Sequence, residues 1–218
     1  MFKQFLVLKS FFSSKSNGEE FHKNNSTVAE SKIKIQQKSL LVGNRIPKNF
    51  FLTSGAGESD ITVHAGSYHL ALKEAGIERC NIVTYSSILP SIATEVEKPA
   101  QEEMIHGSVM ETIMACTDVL KGEMATAGLI IGWLYDKKTD EKYGGLVCEY
   151  HGNDDEGTAS QELSASLNEL HANGFSERFN LRDIKIVTKS FVPAKKFGTS
   201  LVALCFTDYA YPVLGVME

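Results

Sequence analysis

The sequence predicts an α+β sandwich in which strands outnumber helices. Three observations lead there. Runs rich in β-branched and aromatic residues recur between turn-forming clusters, only two stretches carry helical spacing, and 43% hydrophobic residues in 218 are enough for one sizeable core.

Residues 13–42 are rich in Ser, Asn, Lys, Gln and Glu, so residues 1–44 read as a flexible extension and 45–218 as the folded domain. Structure is expected to begin near Ile46. Residues 49–53 (NFFLT) read as a first strand and 54–59 (SGAGES) as a turn. Gly55 and Gly57 make a GxG after a strand, but Asp60 stands where a dinucleotide fingerprint needs its third glycine and no GKS follows. The glycines therefore read as backbone freedom in a loop. Ser67 is placed to cap a helix whose face is Tyr68, Ala71, Leu72 and Ala75, with Gly76 as its stop.

Residues 81–85 alternate and carry Ile82, Val83 and Thr84, which predicts a strand arriving in the core. A polar loop over 91–103 leads to a strand over 107–117. The apolar run 125–135 (ATAGLIIGWLY), the turn DKKTDEKYGG and the strand 146–150 predict a hairpin. Leu163, Leu167 and Leu170 fall at helical spacing over 160–174, behind an acidic start. Residues 183–192 and 199–206 read as the last strands.

A net charge of −5 and a pI near 5.7 argue against a nucleic-acid or anionic-membrane partner. Cys80, Cys116, Cys148 and Cys205 make no CxxC pair, which suits reduced thiols in a cytoplasmic protein. The histidines show no metal-ligand spacing, so no metal is expected. No run approaches the roughly 20 apolar residues needed to span a bilayer. The opening MFKQFLVLKSFF is broken by Lys9, and a cytosolic extension is preferred to a signal peptide, with an organelle presequence as a third reading.

The chemistry concentrates in residues 80–90, CNIVTYSSILP. A hydroxyl one residue after a carbonyl can attack it, giving an ester that β-elimination can break when hydrogen-bond donors hold it. Ser87 is the candidate nucleophile and Ser86 carries the attacked carbonyl. The plainer alternative is a turn whose serines bond the local backbone.

Together with AGI at 75–77 and GGLVCEYHG at 144–152, this stretch resembles the pyruvoyl-dependent arginine decarboxylases. Their self-cleavage pattern runs Asn, two apolar residues, two variable ones, Ser or Thr, Ser, apolar, apolar, Pro. The likeness extends from about Arg45, through RIPKNFFLTSGAGES, to KKFGTSLVALCF near the end. It implies a four-layer αββα sandwich, self-cleaved into a β chain (1–86) and an α chain (87–218), assembled as trimers or higher with substrate pockets between protomers. It also implies a carboxy-lyase converting arginine to agmatine, its only cofactor being a pyruvoyl group made from Ser87. Such a keto group serves as electron sink after forming an imine with the substrate amine.

The same resemblance assigns Asn81 to assisting the acyl shift, Glu149 to protonating the product carbon, and Ser86 and Ile88 to the substrate site. Read from the residues alone, Glu149 in LVCEY is either a functional carboxyl, costly in an apolar strand, or one turned to solvent. Asn81 is either that helper or a strand-start residue bonding a loop.

His69 departs from the family pattern, which places there the aspartate that grips the guanidinium. Histidine cannot supply a bidentate carboxylate bond. Glu58, Asp60 or another carboxylate could stand in, or the substrate could be another amino acid with His69 on its carboxylate or hydroxyl. His69 could also simply cover the helix surface. An unprocessed binding homologue is the rival from outside enzymology, and a serine hydrolase lacks its GxSxG elbow.

Overall fold

The structure, a computed structural model, describes residues 39–217. Its strands are Ser39–Val42 (β1), Ile46–Ser59 (β2), Asn81–Thr84 (β3), Ile88–Pro90 (β4), Thr94–Glu95 (β5), Val109–Leu120 (β6), Ala125–Asp136 (β7), Lys142–Gly152 (β8), Phe179–Phe191 (β9), Phe197–Ala210 (β10) and Val213–Met217 (β11). Its α-helices are His69–Ala75 (α1) and Glu156–Gly174 (α2). The α+β class expected from the sequence is therefore found.

The strands form a five-stranded sheet ordered β3-β6-β10-β2-β5, a four-stranded sheet ordered β4-β8-β7-β9, and a ribbon of β1 with β11. Side-chain alternation explains how the large sheets are used. In β10, Val202, Leu204 and Phe206 join Phe50, Ile113 and Ala115 in a core that also holds Leu89, Ala127, Leu129, Ile131 and Val147 of the other sheet. Leu201, Ala203 and Cys205 turn the other way, onto Ala71, Leu72 and Ala75 of α1. In β7 and β8 the alternate residues Ile130, Leu134, Leu146 and Tyr150 meet Ala159, Leu163 and Leu167 of α2. Strands covered on both faces read as continuous apolar runs, which is why ATAGLIIGWLY and LVALCF show no polar alternation. Each fully buried Leu, Ile or Phe stabilises the fold by roughly 1.5–3 kcal/mol.

Several expectations need correction. SGAGES is not a turn but the second half of β2. A Cβ at Gly55 would strike the carbonyl oxygen of Ala71, and one at Gly57 that of Ser67, so these glycines let the α1 segment press onto the strand. Ser67 does not cap α1. It lies buried in a π-helical turn, Val63–Tyr68, and its hydroxyl accepts from Thr199 Oγ1 at 2.8 Å. Gly76 is the left-handed stop, with φ 74°. α2 starts earlier than expected because Asp155 caps it, accepting the Thr158 N–H at 2.9 Å.

The flexible extension assigned to residues 1–44 does not hold to its end. Residues 39–42, SLLV, pair antiparallel with β11, and the Gly43 N–H donates to the Pro212 carbonyl at 2.8 Å. The apolar triplet Leu40, Leu41 and Val42 finds a second apolar strand that the sequence reading missed. The readings made for residues 1–38 lie outside the described residues. Among those described, no helix is long and apolar enough to cross a membrane.

Candidate active site

β3 is an edge strand, largely exposed, and not a core strand as its β-branched run suggested. It pairs parallel with the start of β6, and the Tyr85 N–H extends that pairing with a 2.7 Å bond to the Thr112 carbonyl. The chain then leaves the five-stranded sheet. By Ile88 it has joined the four-stranded sheet, where β4 pairs antiparallel with β8, Ile88 opposite Leu146. Ser86 and Ser87 are the crossing between the sheets.

Three bonds hold the crossing. The Val147 N–H donates to the Ser87 carbonyl at 2.9 Å, the Ile88 N–H donates to the Ser86 carbonyl at 3.1 Å, and the Ser87 hydroxyl reaches both Glu149 oxygens at 3.0 Å. Ser87 lies across from Val147, so its side chain shares a face with Leu89, Val147 and Glu149. That face looks into the seam between the sheets. Glu149 is half-buried there and does not turn to solvent, and Ser87 is half-buried too, whereas Ser86 and Ile88 are exposed, Ile88 by 57%.

Chemically, the arrangement places a hydroxyl beside a carbonyl that already accepts an N–H, with a carboxylate in reach of the hydroxyl proton. Nucleophile, base and polarising donor are thus adjacent. No group of three or more His, Cys, Asp and Glu side chains placed to hold a metal occurs among the described residues.

This crossing lies inside the region where the chain matches known proteins. A family model for pyruvoyl-dependent arginine decarboxylase matches residues 49–211. The chain belongs to that family. It is similar to the pyruvoyl-dependent arginine decarboxylase of Methanococcoides burtonii, 34% identical over 56% of this chain and 68% of that protein. It also resembles pyruvoyl-dependent arginine decarboxylase 1 of Archaeoglobus fulgidus, 32% identical over 56% of this chain and 77% of that one. To pyruvoyl-dependent arginine decarboxylase AaxB of Chlamydia abortus it is 37% identical over 50% and 60% of the two chains. These relatives are carboxy-lyases by name, and the family name implies a pyruvoyl cofactor.

Set against the family's pattern, the structure brings together only part of the set named from the sequence. Ser87 and Glu149 meet in the seam, and Ser86 and Ile88 flank Ser87 in the chain but are exposed. Asn81 lies at the far end of β3, and its amide donates to the Gly107 carbonyl at 2.9 Å. His69 is the exposed first residue of α1, with no hydrogen bond to Ser87 or Glu149. Both carboxylates offered as a substitute for the missing aspartate bond backbone N–H groups through one oxygen. Glu58 accepts the N–H groups of Ala194 and Lys195 at 2.7 and 3.3 Å, and Asp60 accepts that of Lys196 at 3.1 Å. Sequence reasoning missed a buried glutamate, Glu111, in VMETIMACT. The signal was present, because Glu111 is a lone carboxyl in an apolar strand just as Glu149 is.

Proposed function

We propose that the chain cuts its own backbone between Ser86 and Ser87 and uses the resulting pyruvoyl group to decarboxylate L-arginine to agmatine and carbon dioxide. One observation carries the reading: the Ser87 hydroxyl stands 3.0 Å from both Glu149 oxygens, next to a Ser86 carbonyl that accepts the Ile88 N–H.

In this reading Glu149 takes the hydroxyl proton as Oγ attacks the Ser86 carbonyl carbon, and the Ile88 N–H bonds the developing oxyanion. The peptide C–N bond breaks, the nitrogen of Ser87 takes up a proton, and an ester links Ser86 to Oγ. Loss of the Ser87 α-proton and of the Cβ–Oγ bond frees Ser86 as a carboxylate. Water then displaces the nitrogen as ammonia, leaving a keto group at residue 87. The residues present suit that group: the β4–β8 pairing and the Val147 N–H hold residue 87 without help from the bond to Ser86. The keto group supplies an electron sink for the electrons left when carbon dioxide departs. Glu149 then stands beside residue 87 to deliver a proton to the carbon from which carbon dioxide has departed, and Ser86 and Ile88 flank the substrate.

The packing of α1 on one sheet, the two sheets on each other and α2 on the second sheet supports a four-layer αββα architecture for the same reading. The assembly we propose is a trimer of cleaved protomers, or a multiple of it. His69 and Asn81, which lie apart from Ser87 within one chain, would then reach a site from a neighbouring copy. A cytoplasmic setting suits the free thiols.

The second reading keeps the chemistry and changes the amino acid. His69 favours it, since it cannot hold a guanidinium as a carboxylate does and Glu58 and Asp60 are already engaged. The denatured mass of the purified protein tests the cleavage. We expect fragments 1–86 and 87–218, the second lighter by one ammonia, after which carbon dioxide release across a panel of amino acids separates arginine from its rivals. A single species at 24.0 kDa, stable on incubation, would sink the enzyme reading and leave a non-catalytic binding homologue.

A further inference from the structure

Two residues before Ser87, the aromatic ring of Tyr85 sits at the mouth of the seam against Phe206, ring centroids 5.7 Å apart. Its hydroxyl accepts from both Nε and Nη2 of Arg45 at 3.3 Å. The same guanidinium pairs with Glu111 and lies over the Tyr209 ring, 5.4 Å from its centroid. Glu111 is 5% exposed, and its Oε2 has no partner among the described residues. A buried carboxylate with one satisfied oxygen is costly, and its ion pair is weak evidence of a stabilising role. The expense points to a use other than stability.

We propose that Arg45 is a positioning residue for self-cleavage, seated on Glu111 and gripping the Tyr85 hydroxyl so that the chain is fixed immediately before Ser86. The inference rests on the self-cleavage reading. Its physical basis is the tension between two anchorages. Tyr85 is tied to the five-stranded sheet by its N–H on Thr112 and by its hydroxyl on Arg45, while Ser87 is tied to the four-stranded sheet by Val147 and Glu149. Only Ser86 spans the gap, exposed and without a side-chain hydrogen bond among the described residues, and its carbonyl is the group to be attacked. β3 is short and lies at the sheet edge, so backbone pairing alone leaves it prone to fraying. Fixing the Tyr85 ring removes that freedom, and misplacement of a reacting atom by about 1 Å can cost about a hundredfold in rate.

Full-length chains made by cell-free translation and followed by denatured mass would show cleavage as it occurs. Arg45→Met and Tyr85→Phe should each slow it by about tenfold or more. The double variant should be no slower than the slower single one, because both remove the same bond. Arg45→Lys should recover part of the rate. Urea midpoints measured alongside separate folding from positioning, and Tyr85→Phe, which deletes one hydroxyl, decides the matter where Arg45→Met does not fold. Folded single variants that cleave at the wild-type rate, or slowings that multiply in the double variant, overturn the clamp while leaving self-cleavage standing. A wild-type chain that stays intact overturns both.

Discussion

Two glutamates face the seam between the sheets from opposite sides. Glu149 shares the face of Val147 on β8, and Glu111 shares the face of Ile113 and Ala115 on β6. Both stand in apolar strands near the point where the chain crosses from one sheet to the other, yet their company differs. Glu111 is nearly fully buried and paired with a guanidinium, which commits its charge. Glu149 is half-buried, and its hydrogen-bond partner is a hydroxyl. Glu149 is placed to exchange a proton with the hydroxyl it touches, while the Glu111 carboxylate is occupied by the Arg45 guanidinium. In the proposed reading, the same residue type on matching faces serves chemistry in one sheet and geometry in the other.

The sharpest way to break this contrast is Glu149→Gln, which keeps the size and an acceptor for the Ser87 hydroxyl but removes the exchangeable proton. Decarboxylation per cleaved chain should fall by about 10²–10⁴-fold, the usual worth of a general acid. Cleavage itself should slow as well, since the amide cannot take up the Ser87 proton. Carbon dioxide release normalised to the cleaved fraction is the measurement. A near-normal rate would mean that the proton comes from elsewhere.

Glu111→Gln should behave in the opposite way. Arg45 is half-exposed, its side chain 47% accessible, and can turn to water, so the loss is that of a charged hydrogen bond, about 1.5–3 kcal/mol in a urea titration. Cleavage should slow with the loosened Arg45, but decarboxylation per cleaved chain should stay at the wild-type rate. A loss of turnover comparable with that of Glu149→Gln would show that the two carboxyls are not divided as proposed.

Much of this was legible in the sequence, for reasons that also explain the failures. The hairpin of β7 and β8, the stop at Gly76 and the α1 face depend on local periodicity and local backbone geometry, which a sequence displays directly. SGAGES misled because glycine signals either a turn or a close approach, and only the position of Ala71 and Ser67 above the strand decides between them. β1 escaped because its partner β11 lies at the other end of the chain and both are short apolar runs that no spacing links. At the candidate site, Ser86, Ser87 and Glu149 are picked out by the motif and by the family resemblance. Arg45, Tyr85 and Glu111 meet across three segments, and no spacing connects them.

The smallest effect concerns the opposite face of β8. Tyr150 is adjacent to Glu149 but turns toward α2, 8% exposed, with its hydroxyl donating to Asp154 at 2.7 Å. Burial and that bond push its pKa up to about 12 from the ordinary 10. Between pH 10 and 12 the unfolded chain therefore gives up a proton that the folded chain keeps, so this contribution is fully present below pH 10 and is lost as pH rises toward 12. Tyr150→Phe should cost about 1 kcal/mol at neutral pH by leaving Asp154 without its donor. It should also make the alkaline loss of stability shallower but not abolish it, because burial pushes Tyr209 to about 12 as well. Urea midpoints of both proteins from neutral pH to pH 12 check this. Because the two faces of a strand pack against different neighbours, carbon dioxide release per cleaved chain should be untouched; if it falls, the face toward α2 is coupled to the chemistry of Glu149 and the separation of the two faces fails.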